Sequence, residues 1–374
     1  MTKIDNETYY SILLTQIKGI GPINYNRLIN HYGSAESIFN NIDDIIKLYP
    51  KIGLLLKSQT SNNSSAKENT EKEMAFIEKH GISAICLTSN KYPFRLKECL
   101  DAPIILFFKG DCDLNSNHII SIVGTRKSTS YGTMAVENFI NDIAARVDDL
   151  IIISGLAYGI DGCAHRASIK NNIKTIGVLA HGLDMIYPYT NRQLAKEMIS
   201  SGGLITEFPS STTPKRGNFI SRNRIIAGMS DAVIIAETGE KGGSIITANI
   251  ALSYNKDIFA FPGRINDKYS SGCNNLIKEN KAALIGSADD LIKQMNWSSV
   301  IDDKNPHQLK IEFEADNDEM KVIELLSKKD EMNINLLALE TSLPINQLSS
   351  ILLELEMKYI VRSFPGGVYK LIKY

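Results

Sequence analysis

The 374-residue sequence predicts an α/β protein built on a doubly wound, mostly parallel sheet. A small helical segment precedes this sheet and a compact helical segment with a hairpin follows it. Three observations predict this. Short, β-branched apolar runs recur at 82–87, 104–108, 119–123, 150–153, 175–179, 204–208, 232–236, 258–261 and 283–285. They are nearly continuous rather than alternating, as in strands buried on both faces. Helical stretches separate most of them, so right-handed crossovers are expected. Glycines mark the ends of several runs, and in an open α/β sheet those ends share one edge, where ligands bind.

The bulk numbers fit two or three domains. The chain is 43% hydrophobic and 22% charged, with 41 basic and 42 acidic residues. A net charge of -1 means that nucleic-acid binding needs a local basic patch. Cys86, Cys99, Cys112, Cys163 and Cys273 are scattered and form no C-x-x-C pair. This pattern supports neither a disulfide framework nor a zinc site, and it suggests a reducing cytoplasm. No signal peptide or membrane span is expected.

Residues 7–40 read as helices around Gly19-Ile20-Gly21-Pro22. Helix, G-h-G turn and helix resemble a helix-hairpin-helix, whose glycines let backbone N–H groups reach a phosphate. A plain turn between packed helices is the simpler account. The polar stretch 58–70 reads as a linker, closing a first domain at 1–65. The α/β body follows over 72–297. Residues 298–319, rich in Ser, Asp and Asn, read as a second linker. Helices at 321–328, 335–339 and 345–358 and a hairpin around Pro365-Gly366-Gly367 then make a winged-helix pattern over 320–374.

The chemistry concentrates at the strand exits. Gly124-Thr125-Arg126 follows the run 119–123, without the G-x-G-x-x-G of dinucleotide-binding proteins. After 150–153 come Asp161 and His165, either an acid–base pair or a helix cap with its first-turn partner. His181 beside Gly182 reads as structural. Between Lys215 and Arg224 lie four basic side chains and no acid: Lys215, Arg216, Arg222 and Arg224. Arg222-Asn223-Arg224 is expected at a helix start, where guanidinium groups and free N–H donors meet phosphate. Phe219 in the same stretch can stack on a base. Lys241-Gly242-Gly243-Ser244 puts a lysine and a glycine nest before another helix, a general anion-binding arrangement and not a Walker A loop.

Together these runs resemble the DNA-processing protein A (DprA/Smf) family. The resemblance spans about residues 90–290. It is carried by Ile122-Val123-Gly124-Thr125-Arg126, Ser154-Gly155-Leu156-Ala157-x-Gly159-Ile160-Asp161, Gly182-Leu183-Asp184 with Tyr187-Pro188, Phe219 with Arg222-Asn223-Arg224, Gly243-Ser244 and Pro262-Gly263. It implies a Rossmann-like core between a SAM/helix-hairpin-helix-like domain and a winged-helix-like domain. It implies a homodimer through the Rossmann-like domain that protects incoming single-stranded DNA in natural transformation. Such proteins load a RecA-type recombinase and need no cofactor. The implied DNA-binding residues are Gly124, Thr125, Arg126, Lys215, Arg216, Phe219, Arg222, Asn223, Arg224, Lys241, Gly242, Gly243 and Ser244. Lys241 departs from the S-G-S type loop commoner in the family. The winged-helix segment is near neutral, with seven Lys or Arg and six Asp or Glu, and so is expected to contact protein rather than DNA.

A second reading is a nucleotide-processing hydrolase of the lysine-decarboxylase-like Rossmann group, with Glu207 and Glu237 as candidate carboxylates. The P-G-G-x-G-T-x-x-E run of that group does not occur here. The leading expectation is a binding protein, not an enzyme.

Overall fold

The computed structural model describes residues 6–59, 65–297, 317–329, 332–357, 360–364 and 366–371. The chain divides into two compact units, residues 1–301 and 302–374.

The first unit opens with α1 (Asn6–Thr15), α2 (Pro22–Tyr32), α3 (Ala35–Asn40), α4 (Ile42–Leu48), α5 (Pro50–Gln59) and α6 (Ser65–His80). Gly21 is the N-cap of α2 and Pro22 its first residue, where a missing N–H is harmless. The α1–turn–α2 hairpin therefore forms as expected. The expected linker at 58–70 is shorter than its composition suggests. Its second half belongs to α6, where Ala66 and Thr70 are buried, and residues 60–64 lie outside the described residues.

The sheet contains β1 (Ser83–Cys86), β2 (Ile105–Gly110), β3 (His118–Val123), β4 (Leu150–Ser154), β5 (Lys174–Val178), β6 (Gly202–Thr206), β7 (Ala232–Ile235), β8 (Asp257–Ala260) and β9 (Ala283–Leu284). Its order is β1-β2-β6-β5-β4-β3-β7-β8-β9. The neighbours from β6 to β9 are parallel, whereas β2 runs antiparallel to both β1 and β6. All nine apolar runs thus become strands. Gly202, at φ 138, starts β6 so close to the Thr175 backbone that a Cβ would collide with it.

Alternation along the strands sends side chains to both faces. Ile119, Val123, Ile151, Ile153, Val233 and Ile235 pack into one core. Ile120, Ile122, Ile152, Ala232 and Ile234 pack into another, beneath α8 (Ser130–Ala144) and α9 (Ile160–Lys170). The first core is continuous with the helical start, joining Ile12, Tyr25, Leu28 and Ile38 to Ile85, Leu106 and Phe107. The helices that complete the unit include α7 (Phe94–Lys97), α10 (Arg192–Ser200), α11 (Arg216–Met229), α12 (Gly243–Ser253), α13 (Ser271–Lys278) and α14 (Ala288–Gln294).

The second unit carries α15 (Asn317–Lys328), β10 (Met332–Asn333), α16 (Ile334–Thr341), α17 (Ile345–Met357), β11 (Val361–Phe364) and β12 (Val368–Leu371). Its sheet has the order β10-β12-β11, and Val322, Leu326, Leu337, Leu348, Leu352 and Val361 form the core. Three helices and a small antiparallel sheet make a winged helix. Most of the expected linker at 298–319 lies outside the described residues. Among the described residues no single helix is long and apolar enough to cross a membrane, and no disulfide joins any two of the five cysteines.

Candidate nucleic-acid interface

From β3 the chain crosses to β4, β5 and β6, then returns to β7 on the other side of β3. The crevice beyond the carboxyl ends of β3 and β7 is therefore a topological switch point, where ligands of open α/β sheets bind. A cavity of about 1170 Å³ lies there. Its walls come from the exits of β3 (Val123–Arg126), β4 (Ala157 and Asp161), β7 (Thr238–Ser244) and β8 (residues 265–269 and Ser271), and from α11.

Eleven of the thirteen residues expected in a DNA site line this cavity: Gly124, Thr125, Arg126, Arg216, Phe219, Arg222, Asn223, Lys241, Gly242, Gly243 and Ser244. Lys215 and Arg224 do not. The segment around them was expected to be a loop leading into a helix at Arg222. Instead α11 begins at Arg216, with Lys215 as its N-cap residue. Packing against α7 and α12 outweighs the turn-like composition of Pro214 and Gly217. Arg222-Asn223-Arg224 therefore sit in the second turn and beyond, pointing to different sides.

Arg224 points away from the cavity. It forms an ion pair with Glu207 and donates to the Asp101 carbonyl, with both side chains of the pair largely buried. Burial raises the Glu207 pKa, and the Arg224 charge opposes that rise. Arg222 reaches the crevice floor, 4% exposed, and donates to the Val178 carbonyl at 3.2 Å. Gly155 lies between it and Asp161, where a Cβ would collide with the guanidinium and stand 2.6 Å from Asp161 Oδ2. Burial lowers the Arg222 pKa to about 10, and Asp161 acts against that fall. Asp161 is thus the counter-charge of Arg222. It occupies the first turn of α9, whose N-cap is Gly159, so it is neither the cap nor the partner of His165.

His165 is enclosed in the core. Its Nδ1 lies 2.7 Å from Thr175 Oγ1, whose own proton goes to the Ile152 carbonyl at 2.8 Å. Nδ1 therefore carries the imidazole proton, and Nε2 is left without a partner. Burial, with help from Arg166 and Arg222, lowers the His165 pKa to about 3. His181 is buried as well, accepting from the Tyr187 N–H at 3.2 Å, which agrees with its structural reading.

The two carboxylates of the hydrolase reading stand outside the cavity lining. Glu207 is held by Arg224, and the buried Glu237 accepts from Thr129 N at 2.9 Å and Thr129 Oγ1 at 2.7 Å. Among the described residues no cluster of His, Cys, Asp and Glu could hold a metal ion.

Two aromatic side chains line the crevice, Phe219 and Tyr269, and Phe219 is the one set against cations. Phe219 is half-buried, with the Arg126 guanidinium 5.0 Å and that of Arg222 6.0 Å from its ring centre. Arg126 and Arg216 are exposed, as is Lys241. The first turn of α11 holds Arg216 and no acid, a placement the helix dipole disfavours until an anion joins it. Across the cavity, Ser244 lies in the first turn of α12, buried and with no partner for its hydroxyl. Residues 265–269 carry no motif that marks them for the site, although the β8 exit belongs to the same carboxyl edge. Ile220, Ile246 and Ile265 add an exposed apolar rim.

Comparisons with known proteins identify the family. Residues 83–296 match the sequence model described as DNA recombination-mediator protein A, and residues 309–367 match the DprA winged helix domain. The chain is 43% identical over 223 residues to the DNA processing protein DprA of Bacillus subtilis, covering 59% of this chain and 74% of that one. It is 30% identical over 346 residues to protein Smf of Escherichia coli, covering 92% and 90%. The X-ray structure of DNA processing protein A from Streptococcus pneumoniae superposes with a TM-score of 0.63 at 30% identity, over 78% of this chain and 99% of that one. The solved structure of DNA processing protein A from Helicobacter pylori, described by its single-stranded DNA binding mode, gives 0.52 at 29% identity, over 57% of this chain and 95% of that one. With a switch-point crevice, a winged helix and matches to both of its domains, the chain belongs to the DNA recombination-mediator protein A family, the DprA/Smf proteins, whose role is DNA processing.

Proposed function

We propose that the crevice binds single-stranded DNA, with cations on the phosphates and Phe219 against a base. The observation that carries this reading is the Phe219 ring under the Arg126 guanidinium at the switch point. Arg126 is exposed and can leave the ring for a phosphate while a base takes its place. Stacking on a π face does not discriminate among bases, so binding is sequence-tolerant. Capture is the task of this site, not catalysis. As a recombination mediator of natural transformation, the protein would shield incoming strands and pass them to a RecA-type recombinase. A homodimer through the Rossmann-like unit would present two crevices to one strand and raise avidity. The name of the matched family and the single-strand description of the Helicobacter pylori protein support this reading.

Fluorescence anisotropy of a labelled single strand over a salt series, with duplex as competitor, tests it. Phe219→Ala is expected to weaken binding by about 1–3 kcal/mol. Arg126→Ala is expected to weaken binding and to reduce the log–log salt slope by about 0.7, the share of one phosphate contact on a single strand. A wild type that prefers duplex, or a Phe219→Ala variant that binds like wild type, would sink the assignment.

The winged helix is proposed to contact protein. α17 carries Glu354 and Glu356 and has no basic residue in its last turn. A chain ending at the boundary between the two units, after residue 301, is expected to keep the DNA affinity of the full chain. A tenfold or greater loss would assign DNA contacts to the second unit.

A further inference from the structure

We propose that the bound strand leaves the crevice over the exit of β5, where Tyr187 and Tyr189 form a second stacking platform with Arg192 beside it. This rests on the reading of the crevice as a single-strand site.

The two tyrosines are 45% and 72% exposed, in a segment of the chain well removed from α11. Isolated exposed aromatics are ordinary on a protein surface. These differ in three respects. Tyr187 extends the aromatic surface of Phe219, its ring edge-on with centroids 6.0 Å apart. A cation accompanies them, because Arg192 Nη1 donates to the Tyr189 hydroxyl at 3.3 Å and its guanidinium lies 5.8 Å from the ring centre. Their backbone is also fixed at both ends. The Tyr187 N–H donates to the buried His181. Asn191 Nδ2 donates to the carbonyls of Leu156 at 2.9 Å and Ala157 at 3.2 Å, tying the segment to the β4 exit that lines the crevice.

Exposed rings on a pinned backbone lose little conformational freedom when a partner stacks on them. The one acid between His181 and Arg192 is Asp184, which acts electrostatically on His181 and Glu73. Flat π faces with a neighbouring guanidinium suit bases and phosphates. Continuity with Phe219 selects a single strand, because a duplex keeps its bases stacked on one another. The platform gives the crevice a second binding register, used only by strands long enough to span both.

The test compares an oligothymidylate of about 6 nucleotides with one of about 16, a range typical of single-strand sites. Wild type is set beside Tyr187→Leu/Tyr189→Leu and beside Tyr189→Leu alone, since the ring contact with Phe219 is made by Tyr187. The double variant is expected to bind the long strand about tenfold more weakly and the short one unchanged, with Tyr189→Leu showing part of that loss. Tyr189→Trp is expected to keep long-strand affinity and to show emission quenched by the long strand only. Equal long-strand binding by wild type and the double variant overturns the platform. So does an equal loss for both lengths, which would place the tyrosines in the crevice site itself. If wild type binds neither length, the reading of the crevice fails and the platform falls with it.

Discussion

Arg224→Ala is expected to lower the unfolding free energy of the protein by about 3–5 kcal/mol, because it leaves a buried carboxylate without its counter-ion. Glu207 is largely enclosed, one of its oxygens already lacks a partner, and the other is held by Arg224. Without the guanidinium, burial acts unopposed and the carboxyl pKa rises further. The sign of the resulting pH dependence follows. A carboxyl whose folded pKa lies above its unfolded value holds a proton that the unfolded chain has released. The penalty is therefore full above the folded pKa and shrinks as pH falls toward the unfolded one. Chemical denaturation of the variant at several pH values reads this directly. Arg224→Met/Glu207→Gln should recover part of the loss, since an apolar or neutral pair removes the uncompensated charge. A stable Arg224→Ala protein with impaired DNA binding would return Arg224 to the interface.

The second large effect concerns acid. His165 is neutral in the folded protein down to about pH 3, whereas in the unfolded chain it takes a proton near its ordinary pKa of 6.5. Between these values the unfolded state binds more protons, so stability rises with pH over that window and is lost as pH falls through it. The slope is about 1.4 kcal/mol per pH unit, and the loss across the window is on the order of 5 kcal/mol. His165→Leu has no such proton to bind. The difference in unfolding free energy between wild type and His165→Leu should therefore change by that slope between pH 6.5 and 3, and stay flat above 7. A difference that does not vary with pH would mean that His165 is solvated.

These two residues also show where the sequence could and could not be read. The strands were legible because burial on both faces leaves a local trace, an unbroken apolar run such as Leu150-Ile151-Ile152-Ile153 in β4. Glycines after β3, β4 and β7 likewise located the exits that line the crevice. The role of Arg224 was not legible. Arg222 and Arg224 are two residues apart with the same charge, and only the helix phase of α11 separates floor from flank. That phase depends on where α11 starts, and Pro214 and Gly217 obscure the start. The counter-charges Glu207 and Asp161 lie on other elements, brought in by strand order. The sequence leaves His165 between an acid–base pair and a first-turn partner of a helix cap, because its burial comes from neighbours distant in the chain. Phe219, Arg126 and the 241–244 loop all line the crevice, Arg126 and the loop on strand exits and Phe219 in the first turn of α11.

The match to the recombination-mediator sequence model and the packing of the core draw different borders in this chain. The matched region begins at residue 83, yet the core it needs begins with α1. Glu7 accepts from the Ala35 N–H at 3.0 Å and from Thr88 Oγ1 at 3.0 Å, and Glu73 on α6 accepts from the Ser210 N–H at 2.8 Å, just beyond β6. The helical start is thus one wall of the α/β body and not an attachment to it. The stretch that carries the family's motif set is therefore smaller than the body that packs around one core.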